Sequence, residues 1–277
     1  MAEAHALAPG YWVLPLRTPT LPPASSTNTA VVGERRIAVI EPATPHEDER
    51  AKLVAFLDER VAGGAKVEAI LLTHHHGDHV GFAEGLRERT GAPIMAHPET
   101  ATRLRLTVDR QIVDDAPIVL DEGHVLRPVF TPGHAPGHLV YFDEGTRIAY
   151  VGDMVAGEGT ILIDPEDGGD MLAYLDSLER LATLGAAQLV PAHGRTFDDP
   201  EAVCRHYIEH RLGRERKVVD AMGTESKTLP EILASAYADT PKMLWPLAER
   251  SLRAHLDKLV AEGRAHRDET GAWLVDA

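Results

Sequence analysis

Cysteine is almost absent from this sequence, which has a single copy, Cys204, among 277 residues. One cysteine excludes a disulfide framework and a thiolate-rich zinc site, so any bound metal must be held by histidines and carboxylates. No apolar run reaches the roughly 18–20 residues that a membrane-spanning helix needs. The first sixteen residues lack a basic segment and contain Glu3, so they do not resemble a signal peptide. We therefore expect a soluble, cytoplasmic protein with no membrane partner.

Positive charge is also scarce. The sequence has 28 Lys and Arg residues against 43 Asp and Glu residues, which gives a formal net charge of −15. Such a charge repels polyphosphates and disfavours nucleic acid as a partner, although a local basic strip could still bind it. The charge is uneven, because residues 201–277 contain 12 basic and 13 acidic residues whereas the first 200 residues have a net charge of −14. This asymmetry predicts two structural units, at 1–200 and 201–277.

The first 200 residues alternate between amphipathic and β-prone segments. Apolar residues at helical spacing predict helices over 48–61, 80–89 and 170–184. Short runs between turn residues predict strands at 29–32, 36–40, 67–72, 93–97, 117–120, 126–130, 138–142, 147–151 and 188–190. Strands occur in both halves with helices between and after them. This unit is therefore expected to be an α/β fold whose sheets carry helices on their outer faces.

The remaining residues are helix-rich. A long charged helix is predicted over 201–222, a second helix begins at Thr228, and a third covers 247–262. The third helix is expected to bury an apolar stripe that consists of Leu252, Leu256, Leu259 and Val260. Its basic residues are expected to be exposed, namely Arg250, Arg253 and Lys258. Residues 264–277 are interpreted as a β-hairpin. Three helices followed by a hairpin predict a mainly helical, winged-helix C-terminal domain.

Histidine is abundant, with 15 copies, and the ligand-type residues at predicted strand ends are His74, His76, Asp78, His79, His134, Asp153 and His193. Two or three clustered histidines can arise by chance in such a chain, but this longer pattern is not explained that way. Neutral imidazoles and carboxylates suit Zn²⁺, with Mn²⁺ or Fe²⁺ as competitors. Other histidines are interpreted as surface or core residues, among them His5, His46, His124, His210 and His266.

The segment 73–79 resembles the His-x-His-x-Asp-His signature of the metallo-β-lactamase superfamily, and the later ligand-type residues match its remaining motifs in order. Other segments resemble one branch, the β-lactamase-like hydrolases with an appended winged-helix domain, namely 27–29, 152–160, 177–181 and 207–263. That branch includes a mitochondrial single-strand endoribonuclease and thioesterases that release polyketides from carrier proteins. The resemblance implies an αββα sandwich with the site at one edge, followed by the winged-helix domain.

The resemblance also implies two zinc ions, held by His74, His76 and His134, by Asp78, His79 and His193, and by a bridging Asp153. Two divalent ions lower the pKa of a shared water, so that a bridging hydroxide can attack an electrophilic carbon or phosphorus. The same ions stabilise the developing oxyanion. Asp78 or the bridging Asp153 would help to deliver a proton to the leaving group.

Supporting residues are predicted less directly. The candidate substrate contacts are Asn28, His138 and Thr160. His138 could equally hydrogen-bond a ligand carboxylate or be a structural residue at the start of a strand. His75 should point away from the ligands, and His97 is interpreted as structural. The sequence departs from the family at Glu41, where relatives have a shorter Asp that supports the ligand loop, so retention of that support is left open.

The intact ligand set predicts a hydrolase rather than a regulatory module with a vestigial site. We favour a metal-dependent hydrolase acting on a thioester, ester or lactone of a small molecule, and the alternative is a single-strand-specific endoribonuclease. The helix predicted over 201–222 carries a basic cluster, namely Arg211, Arg214, Arg216 and Lys217. This cluster is either a solvated face, which we favour, or a clamp for an anionic substrate. The C-terminal domain is expected to shape the substrate cleft or to form a homodimer interface.

Overall fold

The computed structural model describes residues 4–121 and 123–275, in which two large β-sheets pack face to face. The strands of the first sheet, in spatial order, are β1 His5–Ala8, β2 Tyr11–Arg17, β3 Ser26–Val32, β4 Arg36–Ile40, β5 Lys66–Leu71, β6 Ile94–Ala96 and β7 Arg110–Gln111. Strands β1 to β4 are antiparallel, and β4 to β7 are parallel.

The second sheet has the spatial order β12-β11-β10-β9-β8. Its strands are β8 Ile118–Val119, β9 Val125–Phe130, β10 Leu139–Asp143, β11 Ile148–Gly152 and β12 Gln188–Pro191. Strand β11 pairs in parallel with β12, whereas the other neighbours are antiparallel. The parallel pair follows from the long crossover between β11 and β12, which contains a helix.

Helices cover the outer faces of both sheets. In chain order the helices are α1 Glu47–Ala62, α2 Gly77–Val80, α3 Ala83–Thr90, α4 Pro98–Arg103, α5 Met171–Ala182, α6 Pro200–Met222, α7 Leu229–Ala236 and α8 Trp245–Ala261. Leu53 of α1 and Leu86 of α3 pack on the first sheet, and Leu178 of α5 packs on the second. Side chains from both sheets, such as Leu71 and Tyr141, fill the space between them. The layer order is therefore helix, sheet, sheet, helix, which confirms the αββα expectation.

The C-terminal residues form the predicted winged helix. The end of α6 packs with α7, α8 and the hairpin of β13 Ala265–Arg267 and β14 Trp273–Val275 around a separate apolar core. Helix α7 begins with a capping box, in which Glu231 Oε2 accepts a hydrogen bond of 2.8 Å from the Thr228 backbone N–H. The last two residues of the predicted hairpin, 276 and 277, lie outside the described residues. No helix of the described ranges is both long and apolar enough to cross a membrane.

Helix α6 joins the two units without a break. Its first half contributes Cys204 to the apolar core under the second sheet, and its second half contributes Val218 to the C-terminal core. The predicted boundary between the two units, after residue 200, lies at the start of this helix, which begins at Pro200. The boundary stays a prediction.

Three local predictions are wrong. The helix expected over 80–89 is divided into α2 and α3, because the backbone turns at Gly81, whose N–H donates to the Ala43 carbonyl at 3.1 Å. Lys258 of α8 is buried rather than exposed, at 5% of its reference area, because its ammonium pairs with Glu215 at 2.8 Å and Glu262 at 2.7 Å. Val260, which was expected to be buried, is 43% exposed.

His255 of α8 gives the C-terminal core a predicted dependence on pH. The side chain is buried, and neither ring nitrogen has a hydrogen-bond partner among the described residues. Burial, together with the positive charges of Arg211 and Lys258, lowers the pKa of His255 to about 3. The unfolded chain binds this proton near pH 6.5, so stability is fully present above that pH and is lost as the pH falls toward 3.

We expect His255→Leu to reduce this acid sensitivity by up to ~1.4 kcal/mol per pH unit between about pH 6.5 and 3. Urea unfolding of chelator-treated wild-type and variant protein at several pH values measures the difference, because the other titrating groups are common to both. Parallel pH dependences in the two proteins would contradict the assignment.

Candidate metal centre

The predicted ligand residues meet at one edge of the sandwich, where four strands end. The loop after β5 supplies residues 74–79, and the loops after β9, β11 and β12 supply His134, Asp153 and His193. Hydrogen bonds between loops and strand ends fix this edge, including one of 3.0 Å from the Leu139 N–H, at the start of β10, to the Thr73 carbonyl. The geometry therefore brings all seven residues together, although nothing in the sequence spacing required their loops to be neighbours.

The first cluster consists of three imidazoles. His74 Nε2 and His134 Nε2 lie 2.9 and 3.0 Å from His76 Nδ1, and His134 Nε2 lies 3.5 Å from Asp153 Oδ2. Burial, followed by the neighbouring imidazoles, lowers the pKa of both His74 and His134 well below the usual histidine value. These rings are therefore neutral near pH 7, and each has a lone pair that can bind a metal ion.

The second cluster shares Asp153 with the first. His79 Nε2 lies 3.6 Å from Asp78 Oδ1 and 3.7 Å from Asp153 Oδ2. His193 Nε2 lies 3.6 Å from Asp78 Oδ2 and 3.5 Å from Asp153 Oδ1. Two of these atoms, His79 Nε2 and Asp153 Oδ1, are buried and have no hydrogen-bond partner among the described residues. Buried polar atoms of this kind normally have a partner, so the donor set fits a metal ion.

The second ring nitrogen of each histidine ligand is also bonded. The bonds, with their nitrogen–oxygen distances, are His74 Nδ1 to Thr73 Oγ1 at 2.8 Å, His76 Nε2 to Asp167 Oδ2 at 2.6 Å, His79 Nδ1 to Glu41 Oε2 at 2.9 Å, His134 Nδ1 to the Leu162 carbonyl at 2.8 Å and His193 Nδ1 to the Ser26 carbonyl at 2.9 Å. Such bonds fix the orientation and the tautomer of a metal-binding imidazole. Asp167, which no motif in the sequence indicated, lies in the 3₁₀ turn Pro165–Asp167.

Glu41 retains the supporting role that the sequence left open. Its carboxylate accepts hydrogen bonds from the Thr73 hydroxyl, from the Tyr150 hydroxyl at 2.7 Å and from His79 Nδ1. Burial alone would raise the pKa of Glu41, but His79 and the two hydroxyls lower it below its usual value. The longer side chain therefore reaches the ligand loop, and it contacts β11 through Tyr150 as well.

The three predicted substrate contacts lie in different surroundings. His138 is fully buried, and its Nε2 accepts a 3.2 Å hydrogen bond from the Asp153 N–H while its Nδ1 lies 2.9 Å from Thr131 Oγ1. His138 therefore does not line the cleft, and it bonds the backbone of Asp153 rather than its carboxylate. Its position directly before β10 fits the structural alternative. Asn28 Nδ2 donates to the Pro191 and Gly194 carbonyls, both at 2.9 Å, and so holds the loop that carries His193. Thr160 is exposed and lines the cleft above the ligands.

The remaining histidines mostly follow expectation. His75 belongs to neither cluster, but its ring centroid lies 4.7 Å from that of His76 and its Nε2 lies 3.3 Å from Asp167 Oδ1. His97 caps α4 by accepting the Glu99 N–H at 3.2 Å, which is the structural role predicted for it. His124 is buried against Asp143 at 2.9 Å. His210 is exposed, as predicted, and it also lines the cleft.

A cleft of about 560 Å³ lies directly over the two clusters. Residues 19–24 form one wall, and the C-terminal unit forms another through α6, α8 and the segment between α7 and α8. Its apolar lining comes from both units and includes Leu21, Pro22, Ile161, Leu162, Leu244, Leu247 and Ala248. The C-terminal unit therefore shapes the cleft, which is one of the two roles expected for it.

The basic cluster on α6 is divided between the cleft and the solvent. Arg216 and Lys217 are exposed, as expected for a solvated face, and Lys217 pairs with Asp239 at 2.6 Å. Arg214 also pairs with Asp239, at 2.9 Å. Arg211 is buried and lines the cleft, so the interpretation as a solvated face is wrong for this residue.

Known proteins share both units of this chain. Residues 22–193 match the metallo-beta-lactamase superfamily, and residues 228–273 match the beta-lactamase associated winged helix domain. The chain is 31% identical over 258 residues to a beta-lactamase-like protein 2 homolog of Drosophila melanogaster, with 86% of this chain and 83% of that protein covered. It is 27% identical over 262 residues to an atrochrysone carboxyl ACP thioesterase of Pseudocercospora fijiensis, with 88% of this chain and 73% of that protein covered.

Structural comparison agrees with these matches. The crystal structure of a metallo-beta-lactamase family protein from Thermus thermophilus has a TM-score of 0.80 at 23% identity, with 98% of this chain and 100% of that chain covered. That likeness shows the shared fold of both units. From the sequence matches and the fold, the chain belongs to the metallo-β-lactamase superfamily, in the branch that carries a C-terminal winged-helix domain.

Proposed function

We propose that the protein is a hydrolase that uses two divalent metal ions, with zinc the best fit, to cleave a thioester, ester or lactone of a small molecule. One observation carries the proposal: the largely apolar cleft ends on two ligand clusters that share Asp153. A reactive centre beneath apolar walls suits a carbonyl compound with an apolar acyl group.

The ligand set supports two ions rather than one. His74, His76 and His134 would hold the first, Asp78, His79 and His193 the second, and Asp153 would contact both. Imidazole and carboxylate ligands suit zinc, and Mn²⁺ or Fe²⁺ could compete for the same donors. Divalent ions bound here would generate a nucleophile at neutral pH and stabilise the negative charge that develops on the carbonyl oxygen.

The chain itself supplies proton transfer and orientation. Asp78 lines the cleft, and although burial would raise its pKa, His79, Thr20 and His193 lower it below the usual value. Asp78 is therefore ionised near pH 7 and can accept the proton of the attacking water. It can then return that proton to the sulfur or oxygen that leaves when the acyl bond breaks. The backbone carbonyl of Asp78 accepts the Thr27 hydroxyl at 2.9 Å, which holds this residue in place.

Thioester chemistry is favoured over phosphodiester chemistry by the surroundings of the cleft. Several cations near its rim already have carboxylate partners, including Arg214 with Asp239 and Arg250 with Asp164, both at 2.9 Å. The first 200 residues have a net charge of −14, which opposes a polyanion. One relative is named as an acyl carrier protein thioesterase, and this supports the same chemistry.

The test compares substrate classes on one metal-quantified preparation. We expect hydrolysis of acyl thioesters, esters or lactones that responds weakly to added salt, with about two metal ions bound per chain. A labelled single-stranded RNA should not be cleaved. RNA cleavage that falls steeply with salt, in the absence of any acyl hydrolysis, would replace this proposal with the endoribonuclease alternative.

A further inference from the structure

Arg211 is an unusual feature of the cleft wall. It lies on α6, its residue is only 5% exposed, and its Nη2 donates to the Ile161 carbonyl. Arg214 and Arg250 on the same wall each have a carboxylate partner, but Arg211 has none within 4.0 Å among the described residues. Its Nε is also buried without a hydrogen-bond partner. A buried cation is costly unless a counter-charge is present, so the site is electrostatically incomplete.

Tyr237 presents a second unpartnered donor on the same wall. This residue follows the end of α7, lines the cleft and is 5% exposed. Its hydroxyl is buried and has no hydrogen-bond partner among the described residues. Burial raises the pKa of Tyr237 to about 12, so the hydroxyl keeps its proton and can donate it. The guanidinium of Arg214 lies 4.4 Å from the ring centroid and limits movement of the ring.

Basic side chains of α6 lie beside these two donors. Arg214 lines the same wall of the cleft and shares the carboxylate of Asp239 with Lys217. Among the described residues, no carboxylate lies within 4.0 Å of Arg211 itself. The adjacent lining is apolar and comes from Leu244, Leu247 and Ala248. An anion bound here would be shielded from water, which strengthens its attraction to a guanidinium.

We propose that Arg211 and Tyr237 form a recognition site for an anionic group of the substrate, a carboxylate or a phosphate. Guanidinium and phenol donors suit the oxygens of either group. The proposal rests on the hydrolase function above and deepens it, since it specifies a substrate that carries negative charge in addition to its reactive carbonyl. The anion could belong to the acyl part, as a second carboxylate, or to the thiol part, as a phosphate.

The experiment uses matched thioesters on the full metal-loaded chain. Glutaryl and pentanoyl thioesters of N-acetylcysteamine differ in the carboxylate at the end of the acyl chain. Pentanoyl thioesters of coenzyme A and of N-acetylcysteamine differ in the phosphates of the leaving group. The wild-type protein should prefer the anionic member of one pair by about 10-fold or more in kcat/KM, and the preferred pair identifies which part of the substrate carries the anion.

Two substitutions test the residues. Tyr237→Phe removes only a hydroxyl that has no partner among the described residues, so it should fold as the wild type does, yet reduce the preference for the anionic substrate by about 10-fold. Arg211→Gln should reduce it by about 10-fold to 100-fold, because it removes the charge as well. Arg216→Gln, an exposed position on the same helix, is the matched control and should keep the wild-type preference.

A binding measurement separates this inference from the proposed function. Glutarate or inorganic phosphate should raise the thermal midpoint of the wild type and of Arg216→Gln, but not that of Tyr237→Phe. If the anions stabilise the proteins in this pattern but no acyl substrate is hydrolysed, the anion site would be supported and the hydrolase proposal would be overturned. Acyl hydrolysis with no anionic preference in the wild type, or with the same preference in Tyr237→Phe and Arg211→Gln, would overturn the anion site and leave the hydrolase proposal standing.

Discussion

Replacement of His76 by alanine is expected to abolish hydrolysis while leaving the fold intact. Its Nδ1 lies within 3.0 Å of the ring nitrogens of His74 and His134, so the substitution removes the donor at the centre of the first cluster. The loss of kcat/KM should exceed about 10³-fold, because in the proposed mechanism both the nucleophile and the stabilisation of the oxyanion depend on bound metal. Steady-state kinetics together with elemental analysis of the same preparation measures the effect.

His75→Ala is the matched control, since it removes the neighbouring imidazole, which lies outside both ligand clusters. This variant should keep most of the activity and the full metal content. Urea unfolding of the chelator-treated proteins should place His76→Ala within about 1 kcal/mol of the wild type, as for a substitution at a partly exposed site. A freshly purified, fully active preparation without metal would contradict the whole assignment.

Glu41→Ala should produce the largest loss of stability. The substitution leaves the Thr73 hydroxyl, the Tyr150 hydroxyl and His79 Nδ1 without their shared acceptor in a fully buried position. Removal of one partner from a buried charged pair costs about 3–5 kcal/mol. We expect a reduction of that order in the free energy of unfolding, measured by urea denaturation after metal removal. Metal affinity should fall as well, because His79 loses the bond that orients it.

Glu84→Ala provides the comparison, since Glu84 is an exposed glutamate whose ion pair with Arg87 is 3.8 Å long. It should change stability by no more than about 0.5 kcal/mol. Glu41→Asp introduces the residue that the family resemblance predicts at this position. Its free energy of unfolding should lie between those of Glu41→Ala and Glu84→Ala, because the shorter side chain cannot reach all three donors. Equal stabilities of Glu41→Ala and Glu84→Ala would show that the network contributes nothing.

The candidate ligand residues could be identified from the sequence because the information is local. Ligand-type residues follow β-prone runs directly in the sequence, and strand ends are where loops hold functional side chains. The layered fold was predictable for a similar reason, since the periodicity of apolar residues changes between strands and helices. The winged helix followed from the helix start at Thr228 and the terminal hairpin.

The groups that orient the ligands were not predictable from the sequence. The Ser26 and Leu162 carbonyls bind His193 and His134, but every residue has a carbonyl and these pairs are far apart along the chain. His138 illustrates the same limit, because its proximity to Asp153 is decided by the pairing of β10 with β11. Lys258 was placed on the surface by its type, whereas the carboxylate of Glu215 on another helix determines its burial.

The division of the cleft between two units has a consequence for how such a protein can diversify. All seven ligand residues belong to the first 200 residues, whereas Tyr237, Leu244, Leu247 and Ala248 of the wall belong to the second unit. Substitutions in α8 and in the segment between α7 and α8 can therefore alter which molecules fit without changing a candidate ligand residue. A library confined to residues 237–251 would therefore vary one wall of the cleft while every candidate ligand residue stays unchanged.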